Sequence, residues 1–223
     1  MLIIGHRGAA GLADENTLSS LKKAEEIGAD IAEFDLRETS DGEVVIIHDK
    51  TLHRTHDDRR AVKHLTLAEI KAIGEQEARE IPTLTELIAA ANIPLNLEIK
   101  ESGFEQQVID AIKNFSREVL VSSSNPLVLK KIRTLDEKVK LGFILGPKWE
   151  IFFPWAMHIA KTLDLYSINP YRTLVTPKHM KAMREHKLKI FVWTVDDKHE
   201  FEITKGFGVD GIFTDYPNLF KNA

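Results

Sequence analysis

Ile31-Ala32-Glu33-Phe34-Asp35-Leu36 and Leu95-Asn96-Leu97-Glu98-Ile99-Lys100 are two short runs in which charged residues alternate with apolar ones. On a β-strand alternate residues share a face. Glu33 and Asp35 therefore project together, opposite Ala32, Phe34 and Leu36, and Glu98 projects with Lys100, opposite Leu97 and Ile99. The same alternation describes a sheet with one solvated face. If instead the two polar faces converge, three carboxylates converge, and each like-charged pair about 4 Å apart repels by roughly 4 kcal/mol at an effective dielectric of about 20. One lysine does not obviously relieve that load, whereas a bound cation does. The two runs thus raise the expectation of a metal site.

Working outward, six further apolar runs read as strands, at about residues 2–6, 119–123, 140–144, 165–168, 189–194 and 210–214. With 31–37 and 95–99 they make eight. Helical signals lie between them: Leu18, Leu21, Ala24 and Ile27 form a stripe closed by Gly28, and Thr83 with Glu86 makes a capping box, as does Asp197 with Glu200. Eightfold alternation of strand and helix predicts an α/β fold, a TIM (β/α)8 barrel, with a doubly wound open sheet as the alternative. Thr39-Ser40-Asp41-Gly42-Glu43 is a turn signal, so residues 43–47 fold back on the second strand as a hairpin and return His48 toward the barrel mouth. Residues 50–81 then form a small insertion, with Thr66 and Glu69 capping a helix over Leu67 to Ile73. Its basic cluster of His53, Arg54, His56, Arg59, Arg60, Lys63 and His64 is diluted by Asp57 and Asp58, and reads either as a solvated loop or as a phosphate contact.

The 223 residues, 43% of them hydrophobic, suffice for one barrel core, and a single domain over 1–223 with an insertion at about 50–81 is expected. Thirty basic and 34 acidic residues in mixed order give a net charge of -4, which argues against a broad nucleic-acid surface. With no cysteine, thiolate metal sites and disulfides are excluded. The start, Met1-Leu2-Ile3-Ile4-Gly5-His6, enters a strand without the pattern of a secretory signal, so a cytoplasmic location is the expectation. Leu141 to Ala160 is the most apolar stretch, but Pro147, Lys148, Glu150 and Pro154 interrupt it short of the ~20 apolar residues a spanning helix needs. Phe152, Phe153, Trp155 and Met157 within it are candidates for lining a substrate mouth or touching lipid, or for core packing. Nothing in the pattern fixes an oligomeric state.

Functional residues of such barrels lie at the C-terminal ends of strands. His6 and Arg7 end the first strand, Glu33 and Asp35 lie late in the second, Glu98 and Lys100 end the third, and Trp193 ends the seventh. His48-Asp49 follows the apolar run Val44 to Ile47. Two histidines at strand ends beside three carboxylates favour an active site over scattered polarity.

The ordered set His6-Arg7-Gly8, Glu15-Asn16-Thr17, Glu33-x-Asp35, Asp41-Gly42 leading to His48-Asp49, Leu97-Glu98-Ile99-Lys100, Trp193-Thr194-Val195 and Gly208 through Pro217 resembles the glycerophosphodiester phosphodiesterases, nearly end to end. The resemblance implies a barrel that hydrolyses a small-molecule glycerophosphodiester to sn-glycerol 3-phosphate and an alcohol. It also implies that Glu33, Asp35 and Glu98 hold one divalent cation, that His6 and His48 are the acid and base pair, and that Arg7 and Lys100 bind phosphate. Three carboxylates suit Mg2+ or Ca2+, with Mn2+ a further candidate. Trp193 is expected either as an apolar wall for the glycerol carbons or as core. Glu15 and Asn16 are expected to cap the first helix and brace the mouth, Asp49 either to orient His48 or to close a turn, and Asp215 to be structural. Asp14, Arg54-Thr55-His56 and Ser124 depart from the family pattern and put the pocket wall, and so the preferred alcohol, in question. A phospholipase D-type enzyme acting on lysophospholipids and a non-catalytic sugar-phosphate-binding barrel are the rival readings.

Overall fold

The computed structural model describes residues 1–221. Its strands are β1 (Leu2–Gly5), β2 (Ile31–Glu38), β3 (Val44–Ile46), β4 (Leu95–Ile99), β5 (Val119–Ser123), β6 (Lys140–Leu145), β7 (Ser167–Pro170), β8 (Lys189–Val192) and β9 (Gly211–Thr214). Eight of them are parallel, and β1 bonds to both β2 and β9, so the ring closes and the open-sheet alternative is ruled out. β3 is the hairpin arm expected after the Asp41-Gly42 turn. It pairs antiparallel to the end of β2, with Leu36 opposite Ile46 and Glu38 opposite Val44, outside the ring.

The helices are α1 (Leu18–Ile27), α2 (His53–His56), α3 (Leu67–Gln76), α4 (Leu84–Ala90), α5 (Glu105–Ile112), α6 (Pro126–Leu135), α7 (Trp149–Thr162), α8 (Pro177–Glu185) and α9 (Lys198–Gly206). Capping boxes open α3 at Thr66/Glu69 and α4 at Thr83/Glu86, each satisfying backbone donors that a helix start leaves free. Two cap expectations are corrected. Thr17, rather than Glu15 or Asn16, caps α1. Asp197 caps α9 alone, because the Glu200 carboxylate turns away to pair with Arg172.

Between the ring and the helices lies the main apolar core, which includes Ala32, Phe34 and Leu36 of β2 with Leu97 and Ile99 of β4. A separate cluster of Val45, Ile47, Leu52, Val62, Leu65, Ile70, Ile73 and Ile81 packs the segment after β3 against that strand. Inside the ring, Ile4, Leu120, Phe191 and Phe213 form a further apolar cluster. Two sequence expectations shift. β7 runs two residues later than the 165–168 stretch, since its buried Ser167 and Asn169 interrupt the apolar pattern that marks a strand. Phe152, Phe153, Trp155 and Met157 do not line the cavity at the barrel mouth. With about 100° between successive residues of a helix, Phe153 and Met157 enter the core while Phe152 and Trp155 face solvent.

Candidate active site

The charged faces of β2 and β4 point into the barrel, and they are not solvated. Glu33 is 2% and Asp35 0% exposed. In register, Asp35 lies opposite Glu98, and Glu33, Asp35 and Glu98 each offer an oxygen within 4.8 Å of the others. Lys100 enters the same cluster, its Nζ 2.9 Å from Asp35 Oδ1 and 2.6 Å from Glu98 Oε1. Burial and the neighbouring Asp35 charge push the Glu33 carboxyl up to about 8, and burial raises Glu98 as well. Burial would raise Asp35 too, but Lys100, Arg7, His48 and the Asn16 amide together hold it well below the usual carboxylate range. Lysine and arginine thus cover Asp35 and leave Glu33 short of compensation. Glu33 Oε1 is buried with no hydrogen-bond partner among the described residues, a costly state for an acceptor. Three converging carboxylates with a bare oxygen fit a hard divalent cation.

β1 delivers the next two groups. After Gly5 the chain turns through Arg7 and Gly8, both in the left-handed region at φ 50° and 87°. A side chain at Gly8 would collide with Ser20 of α1, so this turn requires glycine. The turn is tied to the acidic cluster: the Arg7 amide donates to Glu33 Oε2 at 2.8 Å and the Gly8 amide to the Glu33 carbonyl at 2.9 Å. The Arg7 guanidinium lies 3.4 Å from Asp35 and donates to Glu15 Oε1 at 2.8 Å. Asn16 brackets Asp35 twice, its amide donating to Oδ2 at 2.8 Å and its carbonyl accepting from the Asp35 backbone at 3.1 Å.

The two histidines share one arrangement. His6 Nδ1 lies 2.6 Å from Asp215 Oδ1, and His48 Nδ1 lies 2.6 Å from Asp49 Oδ1. In each ring this leaves Nε2 to exchange a proton. Burial works against charge on His6, but the Asp215 bond and the Glu33 charge outweigh it and raise its pKa. At His48 burial prevails and the pKa falls. Asp215, expected to be only structural, is therefore the partner of His6. It is fixed in turn by Asp196, whose Oδ1 accepts from the Asp215 amide at 2.7 Å and from Thr214 Oγ1 at 3.1 Å. Asp49 orients His48, one of its two expected roles.

A cavity of about 290 Å³ opens over these groups, lined among others by His6, Arg7, Glu33, His48, Glu98 and Lys100. Trp193 is part of its wall, with Nε1 donating to the Asn169 carbonyl at 2.9 Å and its ring edge-on to Tyr171. Ser124, one of the departures from the family pattern, is there too. Asn96 and Asn169 also line it, and the sequence reading missed both. They are fully buried, and Asn96 Oδ1 and Asn169 Nδ2 have no partner among the described residues. Among the described residues, none of the basic cluster at 53–64 lines the cavity. Arg54 instead bridges Asp49 and Glu15, His56 is buried against the Arg79 carbonyl, and Arg60 pairs with Asp58.

The model of the glycerophosphoryl diester phosphodiesterase family matches residues 6–219, which span the whole of this site. This chain belongs to that family. It is an enzyme, a phosphoric diester hydrolase built on a (β/α)8 barrel. A glycerophosphodiester phosphodiesterase of Caldanaerobacter subterraneus subsp. tengcongensis is 37% identical over 238 aligned residues, which cover 99% of this chain and 96% of that one. The phosphodiesterase of Oleispira antarctica, solved in complex with the product sn-glycerol-3-phosphate, matches with a TM-score of 0.87 at 27% identity, covering 100% of this chain and 96% of its own. The glycerophosphodiester phosphodiesterase of Thermotoga maritima matches with a TM-score of 0.89 at 25% identity, covering 100% and 97%. No helix among the described residues is long and apolar enough to cross a membrane.

Proposed function

We propose that this chain hydrolyses glycerophosphodiesters to sn-glycerol 3-phosphate and an alcohol, with His6 and His48 as the acid and base pair and with Glu33, Asp35 and Glu98 holding one divalent cation. The observation that carries this reading is the pairing of two imidazoles, each anchored at Nδ1 by a carboxylate, around one cavity with a carboxylate trio of which Glu33 and Asp35 are buried and Glu33 and Glu98 line that cavity. When bound, magnesium, calcium or manganese supplies Lewis-acid stabilisation of charge on a phosphoryl oxygen.

The rest is the work of this chain's own residues. His48, neutral at neutral pH because its pKa is depressed, accepts the proton of the attacking oxygen as the phosphorus bond to the alcohol oxygen breaks. That oxygen is either that of water or first the glycerol's own hydroxyl, with water then opening the cyclic phosphate. His6, whose pKa is raised by Asp215 and Glu33 against burial, gives a proton to the departing alcohol oxygen. Arg7 offers forked donors and Lys100 a point charge to the phosphate. Their present carboxylate partners hold both groups in place at the cavity edge. Trp193 provides an apolar wall for the glycerol carbons, and Asn96 Oδ1 and Asn169 Nδ2 an acceptor and a donor for its hydroxyls.

The deciding experiment measures glycerol 3-phosphate release from glycerophosphocholine by chelated protein before and after adding back single divalent cations, beside the same assay on lysophosphatidylcholine micelles. Inactivity after chelation and recovery with one cation is the expected result. Full turnover by thoroughly chelated protein overturns the cation assignment. Turnover confined to the micelles overturns the substrate assignment in favour of a phospholipase D-type activity.

A further inference from the structure

The helix α7 carries two apolar stripes. Phe153, Ala156, Met157 and Ala160 form the first and enter the core. Lys148, Ile151, Phe152 and Trp155 stand at the same i, i+3, i+4, i+7 spacing on the opposite side. There Ile151 is 81%, Phe152 57% and Trp155 52% exposed. Leu127 of α6, 70% exposed, borders the same groove as Trp155. The half-buried Trp149 stacks on Trp155 at 5.4 Å and meets Phe152 edge-on, so the aromatic cluster is braced from below. Scattered exposed apolar residues are ordinary, but a contiguous aromatic patch on a second helix face marks an interaction surface.

Place and charge indicate the partner. α6 and α7 begin just after β5 and β6, whose ends supply Ser124, Ile144 and Gly146 to the cavity, so the patch rims the mouth. Lys148 heads the apolar stripe of α7, and Lys130 and Lys131 follow Leu127 by three and four residues on α6. The ion pairs made by lysines among the described residues involve other lysines than these three. The exposed Glu150 in the first turn of α7 is the acidic exception, but Lys130, Lys131 and Lys148 outnumber it, so a chain with a net charge of -4 presents a locally basic, aromatic rim. Tryptophan and phenylalanine flanked by lysine suit the headgroup region of an anionic bilayer. Self-association about a two-fold axis would instead set the same ammonium groups near one another.

We propose that the outer face of α7 with the start of α6 docks this enzyme on anionic phospholipid surfaces, mouth toward the lipid. This goes beyond the reading of the catalytic site and is tested without turnover. The chain is sedimented with vesicles of phosphatidylcholine alone and of phosphatidylcholine mixed with phosphatidylglycerol, with tryptophan emission read in parallel. The expected result is binding to the mixed vesicles with a blue shift. Phe152→Ser combined with Trp155→Ser weakens it roughly tenfold or more, with thermal unfolding unchanged. Combined Lys130→Gln, Lys131→Gln and Lys148→Gln removes the dependence on phosphatidylglycerol. The proposal is overturned by failure of the unaltered chain to bind mixed vesicles, or by unchanged binding of the serine variant. It is equally overturned if light scattering finds a dimer that the serine variant dissolves, since the face is then covered by a second copy.

Discussion

His6 and His48 are chemically the same device in two settings. Each imidazole has a carboxylate at 2.6 Å from Nδ1, yet one pKa is raised and the other lowered. His6 stands at the end of β1, and its partner Asp215 follows the last barrel strand and is itself pinned by Asp196. His48 stands on the rim after β3, with its carbonyl held by Arg37 and its partner Asp49 shared with the exposed Arg54. A carboxylate on the ring does not by itself decide the protonation state. The surroundings do: at His6 the Asp215 bond leads the groups that outweigh burial, whereas at His48 burial leads and Lys100 and Arg7 add to it against Asp35. A pair displaced in opposite directions from 6.5 is suited to acid and base roles near neutral pH.

The contrast breaks most severely when a ring is removed. His6→Ala and His48→Ala are each expected to lower kcat by about 10²–10⁴. The stability cost should differ, because His6 is 19% and His48 34% exposed and only His6 bonds to the strand end that closes the barrel. Calorimetry should show the larger drop in Tm for His6→Ala, and the opposite order would refute the division into a barrel arm and a rim arm. Next in size are the partners. Asp215→Asn is expected to cost roughly 10²-fold and Asp49→Asn roughly tenfold in kcat, since Asp215 dominates the forces raising His6 while His48 is set mainly by burial.

The pH profile sharpens the same contrast. His48 must be neutral and His6 charged, so kcat/KM should fall on the acid side below 6.5 and on the alkaline side above 6.5, the ordinary value from which the two depart in opposite directions. Asp215→Asn should move the alkaline limb to lower pH, because the Asp215 bond is the largest cause raising His6. The linkage to folding follows the same signs. The raised His6 contributes stability that is complete below 6.5 and lost as pH rises through its folded pKa. The lowered His48 costs stability as pH falls from 6.5 through its folded pKa. Imidazole titrations by NMR on the unaltered chain check the order directly, and His48 titrating above His6 would remove the basis for the assignment of base and acid.

Much of this was legible in the sequence where the signal is local. The two-residue alternation around Glu33 and Asp35 and around Glu98 gives the inward faces, and Asp41-Gly42 gives the hairpin that returns His48. What escaped was non-local. Asp215 lies 209 residues from His6, and an Asp after a strand carries no sign of which ring it will meet. Asn16 sits before α1 like any capping residue, and only the close approach of β1 and β2 brings it to Asp35. Asn96 and Asn169 were obscured because a polar residue inside a barrel strand resembles one on a wet sheet face until closure buries it. That the carboxylates are buried at all is likewise a property of the closed ring.

The smallest expected effect concerns the tie between the two arms. Glu15 accepts from Arg7, beside Asp35, and from both terminal nitrogens of Arg54, which also holds Asp49. Burial works against its charge, but Arg54 and Arg7 together hold its carboxyl down at about 2, from an ordinary value of 4.5. A depressed carboxyl contributes stability that is complete above 4.5 and vanishes as pH falls through about 2. Glu15→Gln should therefore cost about 1 kcal/mol in urea unfolding at neutral pH. Its deficit against the unaltered chain should shrink steadily as the titration is carried toward the acid end of that window. A deficit that stays constant with pH would mean that Glu15 acts by shape alone, and that the rim and barrel arms are not joined through its charge.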